Sequence, residues 1–210
     1  MCRNCRERFF HVDSVKEDLC SKCGKQLISE HELCMECREN SLLADVDSVY
    51  PLFSYRLWAS SALCRWKLEG ERSLSSFFAG LLQKRLHELL ELKGDFAIVP
   101  VPPRPGKIRQ TGWDQVEELS CILENLYGFT VLRILERYSA VEQKTLDKEG
   151  RMNSIGRSYG VKKGVQALPE KVCLLDDVLT TGATVVSCSL KLKEAGAKEV
   201  FAVTLFIVDR

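Results

Sequence analysis

The sequence predicts an α/β protein, a parallel sheet with flanking helices, preceded by a small cysteine-rich module. Three observations carry this. Residues 171–184 read as a buried strand, two acids, a hydroxyl- and glycine-bearing turn and the start of a helix. Three Cys-x-x-Cys pairs crowd the chain before residue 40. Two further apolar runs, at 95–101 and 199–208, have the β-branched character of strands buried on both faces. A chain of 210 residues holds one such domain with a proper core and one small appendage. The formal net charge of +1 gives no global electrostatic drive towards nucleic acid. The basic stretches at 104–109 and Lys162-Lys163 read as solvated loop cations. The longest apolar run, 200–208 broken by Thr204, is too short to span a bilayer, and the first residues lack the apolar core of a secretory signal. The expectation is a cytoplasmic protein with no membrane insertion.

Taken in chain order, the first element is the module at 1–44. Its six cysteines form the pairs Cys2/Cys5, Cys20/Cys23 and Cys34/Cys37. A tight Cys-x-x-Cys turn presents both sulfurs to one centre, and two such turns complete a tetrahedral thiolate site for Zn²⁺. A disulfide framework is disfavoured in a reducing cytosol, and a thioredoxin-like centre needs a βα junction that this segment lacks. Gly24, directly after Cys23, suits the left-handed turn of a zinc knuckle. The favoured ligands are Cys20, Cys23, Cys34 and Cys37, with Cys2/Cys5 joined to Cys20/Cys23 as the alternative. Four thiolates leave no open position, so the metal is structural and supplies much of the module's folding free energy. Cys64, Cys121, Cys173 and Cys188 lie in apolar segments and read as buried small hydrophobes.

Composition shifts near Ala44, which places the second domain at 45–210. Residues 46–55 read as a strand, and 57–63 and 74–92 as helices. The longer helix has an apolar face through Phe77, Phe78, Leu81, Leu82, Leu86, Leu89 and Leu90. Between the helices, Lys67-Leu-Glu-Gly70 reads as a helix end with a solvated lysine. Pro100, Pro102, Pro103 and Pro105 stop the strand at 95–101, and Arg104, Lys107 and Arg109 follow. Residues 143–153 are polar and aperiodic, a loop; 161–167 form a short strand. The strand at 199–208 closes the sheet after a crossover helix.

The segment 171–184 is the most informative. Ligands of open α/β sheets bind where strands end and helices begin, so Asp176 and Asp177 belong at a crevice rim. Thr180, Thr181, Gly182, Ala183 and Thr184 offer hydroxyls and backbone N–H groups at the positive end of a helix dipole, which suits a phosphate. Carboxylates repel phosphate, so the two acids must face another part of the same ligand. Vicinal sugar hydroxyls donate to carboxylates, and Mg²⁺ prefers hard oxygens. A ribose 5-phosphate carrying a metal-chelated diphosphate meets all three demands.

Residues 175–184, Leu-Asp-Asp-Val-Leu-Thr-Thr-Gly-Ala-Thr, resemble the phosphoribosyl pyrophosphate (PRPP) motif of type I phosphoribosyltransferases. Within that superfamily the whole chain resembles the competence protein F (ComF) family, whose cysteine pairs precede a transferase-like domain. The resemblance implies a phosphoribosyltransferase-like fold for 45–210 and a zinc-ribbon-like module before it. It implies that Asp176 and Asp177 hold the ribose hydroxyls and that Thr180 to Thr184 wrap the 5-phosphate. Val101, Pro102 and Arg109 would lie beside the diphosphate, with Mg²⁺ as its companion. Gln143, Arg151 and Asn153 would belong to a hood that closes over PRPP. Lys67-Leu-Glu-Gly70 resembles the family's Lys-Phe-x-Gly segment. Thr111-Gly112-Trp113-Asp114-Gln115 stands where the family carries Arg-Gly-Phe-Asn-Gln, so Thr111 removes a cation and Asp114 adds a negative charge. Thr180 occupies the position of an Asp general base found in some purine-specific transferases, and no catalytic residue is identified.

Three functions follow: a transferase using Mg²⁺-PRPP, a non-catalytic PRPP sensor, or a module handling incoming single-stranded DNA with the competence helicase machinery in natural transformation. In the last, DNA would meet the zinc module, the basic 104–109 loop and exposed aromatics such as Trp113.

Overall fold

A computed structural model describes residues 19–39, 43–55, 58–138, 158–165 and 167–208. Its elements in chain order begin with α1 (Met35–Glu39), β1 (Val49–Ser54), α2 (Trp58–Lys67), α3 (Ser73–Lys93) and β2 (Ala97–Pro100). They continue with α4 (Lys107–Thr111), α5 (Gln115–Tyr127), β3 (Leu135–Arg137), β4 (Tyr159–Val161), β5 (Lys171–Leu179), α6 (Ala183–Glu194) and β6 (Glu199–Ile207). The expected parallel sheet is present, four strands in the order β1-β6-β5-β2. Val131 bridges to Ile98 in parallel and adds a single rung outside β2. β3 and β4 pair antiparallel as a separate ribbon.

β5 and β6 are interior strands covered on both faces, which is why they read as nearly unbroken apolar runs. Alternation sorts their side chains. Cys173, Leu175, Phe201 and Val203 join Trp66, Phe78 and Leu119 under α2, α3 and α5. Val172, Leu174, Val200 and Ala202 join Val185, Cys188 and Leu192 of α6. Cys20, Cys23, Leu27 and Cys34 share this second core, so the cysteine module has no separate interior among the described residues. It leans on β1: Val49 N–H donates to Lys22 O (2.8 Å) and the Lys22 ammonium donates to Val46 O.

Several expectations need correction. β5 does not end at Leu175; it runs to Leu179, so Asp176 and Asp177 are strand residues rather than part of a turn. The pairing of β6 as far as Ile207 holds it extended. The strand expected at 161–167 lies at Tyr159–Val161 and is fixed by the ribbon partner 135–137, which carries too short a pattern to be read alone. α5 was not foreseen, although Asp114 caps it by accepting from Glu117 N–H (3.0 Å) and Gly128 ends it at φ +75°. Cys173 and Cys188 are buried as expected, but Cys64 is exposed and Cys121 only half-buried. Cys2, Cys5 and residues 143–153 lie outside the described residues. None of the described helices is long and apolar enough to cross a membrane.

Gly24 sets how closely the module approaches the sheet. It sits at φ +70°, and a Cβ there would come within 2.4 Å of Pro51 Cδ and 2.6 Å of Val49 O. Gly24→Ala is expected to lower stability by about 2–3 kcal/mol, through forced backbone separation and positive-φ strain. Urea unfolding monitored by tryptophan fluorescence measures it.

Candidate functional site at the end of the central strand

Val101 N–H donates to Leu175 O (2.9 Å), so the chain leaves β2 directly beside the acids of β5. Val101 is buried, Pro102 half-buried and Arg109 exposed on α4. Asp176 and Asp177 follow each other along a strand, so their carboxyls leave opposite faces of the sheet. Asp177 is 7% exposed and points towards α2, where Lys67 Nζ lies 2.5 Å from its Oδ2. The lysine that looked solvated in sequence is thus the counter-ion of a buried carboxylate.

Neighbouring elements fix that lysine's backbone. Trp66 is fully buried against Phe78 (ring centroids 5.0 Å apart), and its Nε1 donates to Ser75 Oγ at 2.8 Å, tying α2 to α3. Gln115 Nε2 donates to Lys67 O (3.3 Å), and Gln115 Oε1 accepts from Lys107 Nζ (2.5 Å). Lys107 also pairs with the buried Asp114 at 2.6 Å. This corrects the reading of Asp114 as a charge that repels an incoming anion: the carboxylate is an N-cap and is compensated by Lys107. Trp113 is likewise not an exposed aromatic. It is half-buried edge-on to Trp66 (6.3 Å) with the Arg72 guanidinium 5.6 Å from its ring. The Thr111 hydroxyl donates within its own loop, to Lys107 O and Trp113 O.

Asp176 has different surroundings. Burial, and then the negative charge of Asp177, push its carboxyl up to about 7, against the Asp177 N–H donated to it at 2.8 Å and the more distant Lys67 charge. Tyr159 of β4 borders the same region, its phenol raised by burial, with a hydrogen bond to Thr184 and the charge of Arg137 acting in the opposite sense. The Arg137 guanidinium lies 5.3 Å from the Tyr159 ring. Burial also raises the Cys188 thiol beyond any useful reactivity.

Beyond Leu179 the chain turns through the exposed Thr180 and Thr181 to Gly182 at φ +78°, then enters α6 at Ala183 and Thr184. Thr181 Oγ1 accepts from Ala183 N–H (3.3 Å). Gly182 at the N-cap brings no side chain of its own to the N–H groups of the first turn, of which Ala183 N–H goes to Thr181; a helix start of this kind suits an anion. A Cβ on Gly182 would lie 2.5 Å from Leu43 Cδ2, so a residue next to the cysteine module buttresses this loop. Between loop and module lies a cavity of about 330 Å³, bordered by Cys23, Cys37, Leu43, Thr180, Thr181 and Gly182.

Cys20, Cys23, Cys34 and Cys37 come together with all four Sγ atoms within 4.8 Å of one another. Cys23 and Cys34 Sγ are 3.7 Å apart. A tetrahedral zinc with Zn–S bonds of about 2.3 Å needs sulfurs about 3.8 Å apart, so the set fits such an ion. Burial raises the Cys23 thiol, and raises Cys37 to about 12. At Cys20 the upward push of burial is outweighed by backbone N–H groups of Cys23, Cys34 and Lys22, which bring it to about 7. Metal-free, these crowded thiols resist ionising together; a divalent ion reverses that.

No family model matches the chain. It is 29% identical over 202 residues to the competence protein ComFC of Streptococcus pneumoniae, covering 95% of this chain and 84% of that protein. It is 27% identical over 224 residues to the competence protein F of Haemophilus influenzae, covering 95% of this chain and 93% of that protein. Two likenesses over nearly the full length support the ComF family.

Two outcomes follow from this geometry. Purified protein should carry one zinc per chain by elemental analysis, and Cys23→Ser should lose it and make residues before Ala44 protease-sensitive; a variant that keeps its zinc requires another ligand set. Leu43→Ala, which removes the support behind Gly182, should leave the zinc in place while raising amide exchange across residues 180–184 several-fold by hydrogen–deuterium mass spectrometry.

Proposed function

We propose that the crevice at the end of β5 binds a ribose 5-phosphate bearing a diphosphate with its Mg²⁺, as in the PRPP site of phosphoribosyltransferases, and that the protein acts through it in handling incoming DNA. The observation that supports the reading is the continuity of β5, the 180–182 loop and α6, which joins two adjacent acids and a glycine helix N-cap in one strand–loop–helix unit. Sugar hydroxyls donate to carboxylates, and a phosphate accepts from backbone N–H groups. Proline-stiffened residues 101–105 and exposed Arg104 and Arg109 border the side where a diphosphate would lie. Mg²⁺ would accompany the diphosphate as a hard cation on hard oxygens. The DNA-uptake role draws on the names of the two relatives, both competence proteins.

A transferase reading has one observation in its favour. Among the described residues near the crevice, Asp176 is the carboxyl whose proton affinity lies near neutrality, as a general base requires. Diphosphate release from PRPP with any free nucleobase establishes it. Saturable binding without release across all nucleobases leaves the binding function as the activity.

Asp176→Asn/Asp177→Asn should keep zinc and fold while losing Mg²⁺-PRPP affinity by at least 100-fold, since each charge-assisted hydrogen bond contributes about 1.5–3 kcal/mol. Calorimetry reads it, and wild-type affinity in that variant would remove the acids from the site. The pH dependence has a definite sign. Sugar hydroxyls and Mg²⁺ favour ionised Asp176, whose carboxyl is pushed up to about 7 by burial and the Asp177 charge. Binding therefore strengthens as pH rises from 6 towards 7, approaching tenfold per unit at the acid end, and levels off above it. Asp176→Asn alone should flatten that profile.

A further inference from the structure

Lys67 stands out among the charged side chains of the crevice. It is the last residue of α2, 110 positions from Asp177 in sequence, and its ammonium meets the carboxylate at 2.5 Å. The Asp177 side chain is 11% exposed while that of Lys67 is 37% exposed. An ammonium has three N–H donors and Asp177 Oδ2 takes one, so the exposed side of the group is open to a second anion. Its backbone is anchored by Gln115 and by the buried Trp66, which limits the wandering expected of a lysine at a helix end.

Resting on the PRPP-site reading above, we propose that Lys67 is the residue that makes the crevice specific for a ribose 5-phosphate carrying a second anionic group on its anomeric carbon: it keeps one N–H on Asp177 and donates another to that group. The vicinal hydroxyls of a ribose ring sit on C2 and C3, and C2 is bonded directly to the anomeric carbon. With the C2 hydroxyl donating to Asp177, a cation touching the same carboxylate lies close to the substituent on the anomeric carbon. One ammonium thereby serves two charges: it compensates Asp177, which would otherwise carry a nearly buried negative charge beside Asp176, and it screens that carboxylate from the incoming diphosphate. Arg104 and Arg109 are exposed on the loop and on α4 and are not held in this way among the described residues, so they supply general attraction. Lys67 supplies discrimination between ligands.

The test compares two ligands by calorimetry on the zinc-loaded full chain: PRPP with Mg²⁺, and ribose 5-phosphate. Lys67→Met should weaken PRPP binding at least tenfold more than ribose 5-phosphate binding, and Lys67→Arg should recover most of that difference. Equal losses for both ligands would show that Lys67 is only the counter-ion of Asp177 and would overturn the proposal; so would an unchanged affinity for both. Because Lys67→Met leaves Asp177 without its partner, the wild-type protein supplies an independent reading. Acetylation of Lys67 by acetic anhydride, followed by peptide mass spectrometry, should be suppressed severalfold more by PRPP than by ribose 5-phosphate at saturation. Equal protection by the two overturns the proposal. A wild-type protein that binds neither ligand removes the PRPP-site reading itself and this assignment with it, an outcome distinct from losing selectivity alone.

Discussion

The structure depends on β5 being covered on both faces. A strand between β6 and β2 with helices on one side and α6 and the cysteine module on the other can place only apolar side chains along most of its length. Along the stretch paired with β2 it is wholly apolar, and its acids come past Pro100, where β2 has ended and the sheet edge opens. Alternation then separates Asp176 from Asp177 although they are neighbours in sequence. One is compensated by Lys67. The other, half-buried and beside a like charge, has its carboxyl pushed up to about 7. Two chemically identical residues acquire different properties from the face each occupies.

That division depends on elements far apart in the chain. Lys67 reaches Asp177 because Trp66 packs under Phe78 and because Gln115 takes hold of the last carbonyl of α2. Gln115 and Asp114 are in turn joined by Lys107. Within the run Thr111 to Gln115, the side chains of Trp113, Asp114 and Gln115 brace the end of α2. On the opposite face, Leu43 supports Gly182, so the cysteine cluster and the turn after β5 share a wall. A metal that holds Cys23 and Cys37 also holds one side of that cavity, which gives a structural metal influence on a loop it does not touch.

Much of this was legible in the sequence, for identifiable reasons. Strands buried on both faces leave long apolar runs, so β2, β5 and β6 were readable, and Cys-x-x-Cys spacing located all four clustered thiols. The acids and the Thr180 to Thr184 turn were singled out by composition alone. What escaped depended on tertiary partners. The role of Lys67 needed Asp177, 110 residues away. The burial of Trp113 needed Trp66, and the neutralisation of Asp114 needed Lys107. The signal for α5 is present in the sequence, an Asp cap with Glu117 three residues on and Gly128 at the far end. The short β3–β4 ribbon has no periodicity strong enough to be read from either strand.

The central claim is that the turn after β5 holds a 5-phosphate with backbone N–H groups, and ³¹P NMR of ribose 5-phosphate titrated with protein tests it most directly. Wild-type protein should broaden and shift the phosphate resonance in a saturable way. Gly182→Val, folded and zinc-loaded, should leave it sharp, because a side chain at φ +78° strains the loop and collides with Leu43. An unperturbed resonance with the wild-type protein, or equal broadening by both proteins, would contradict the account.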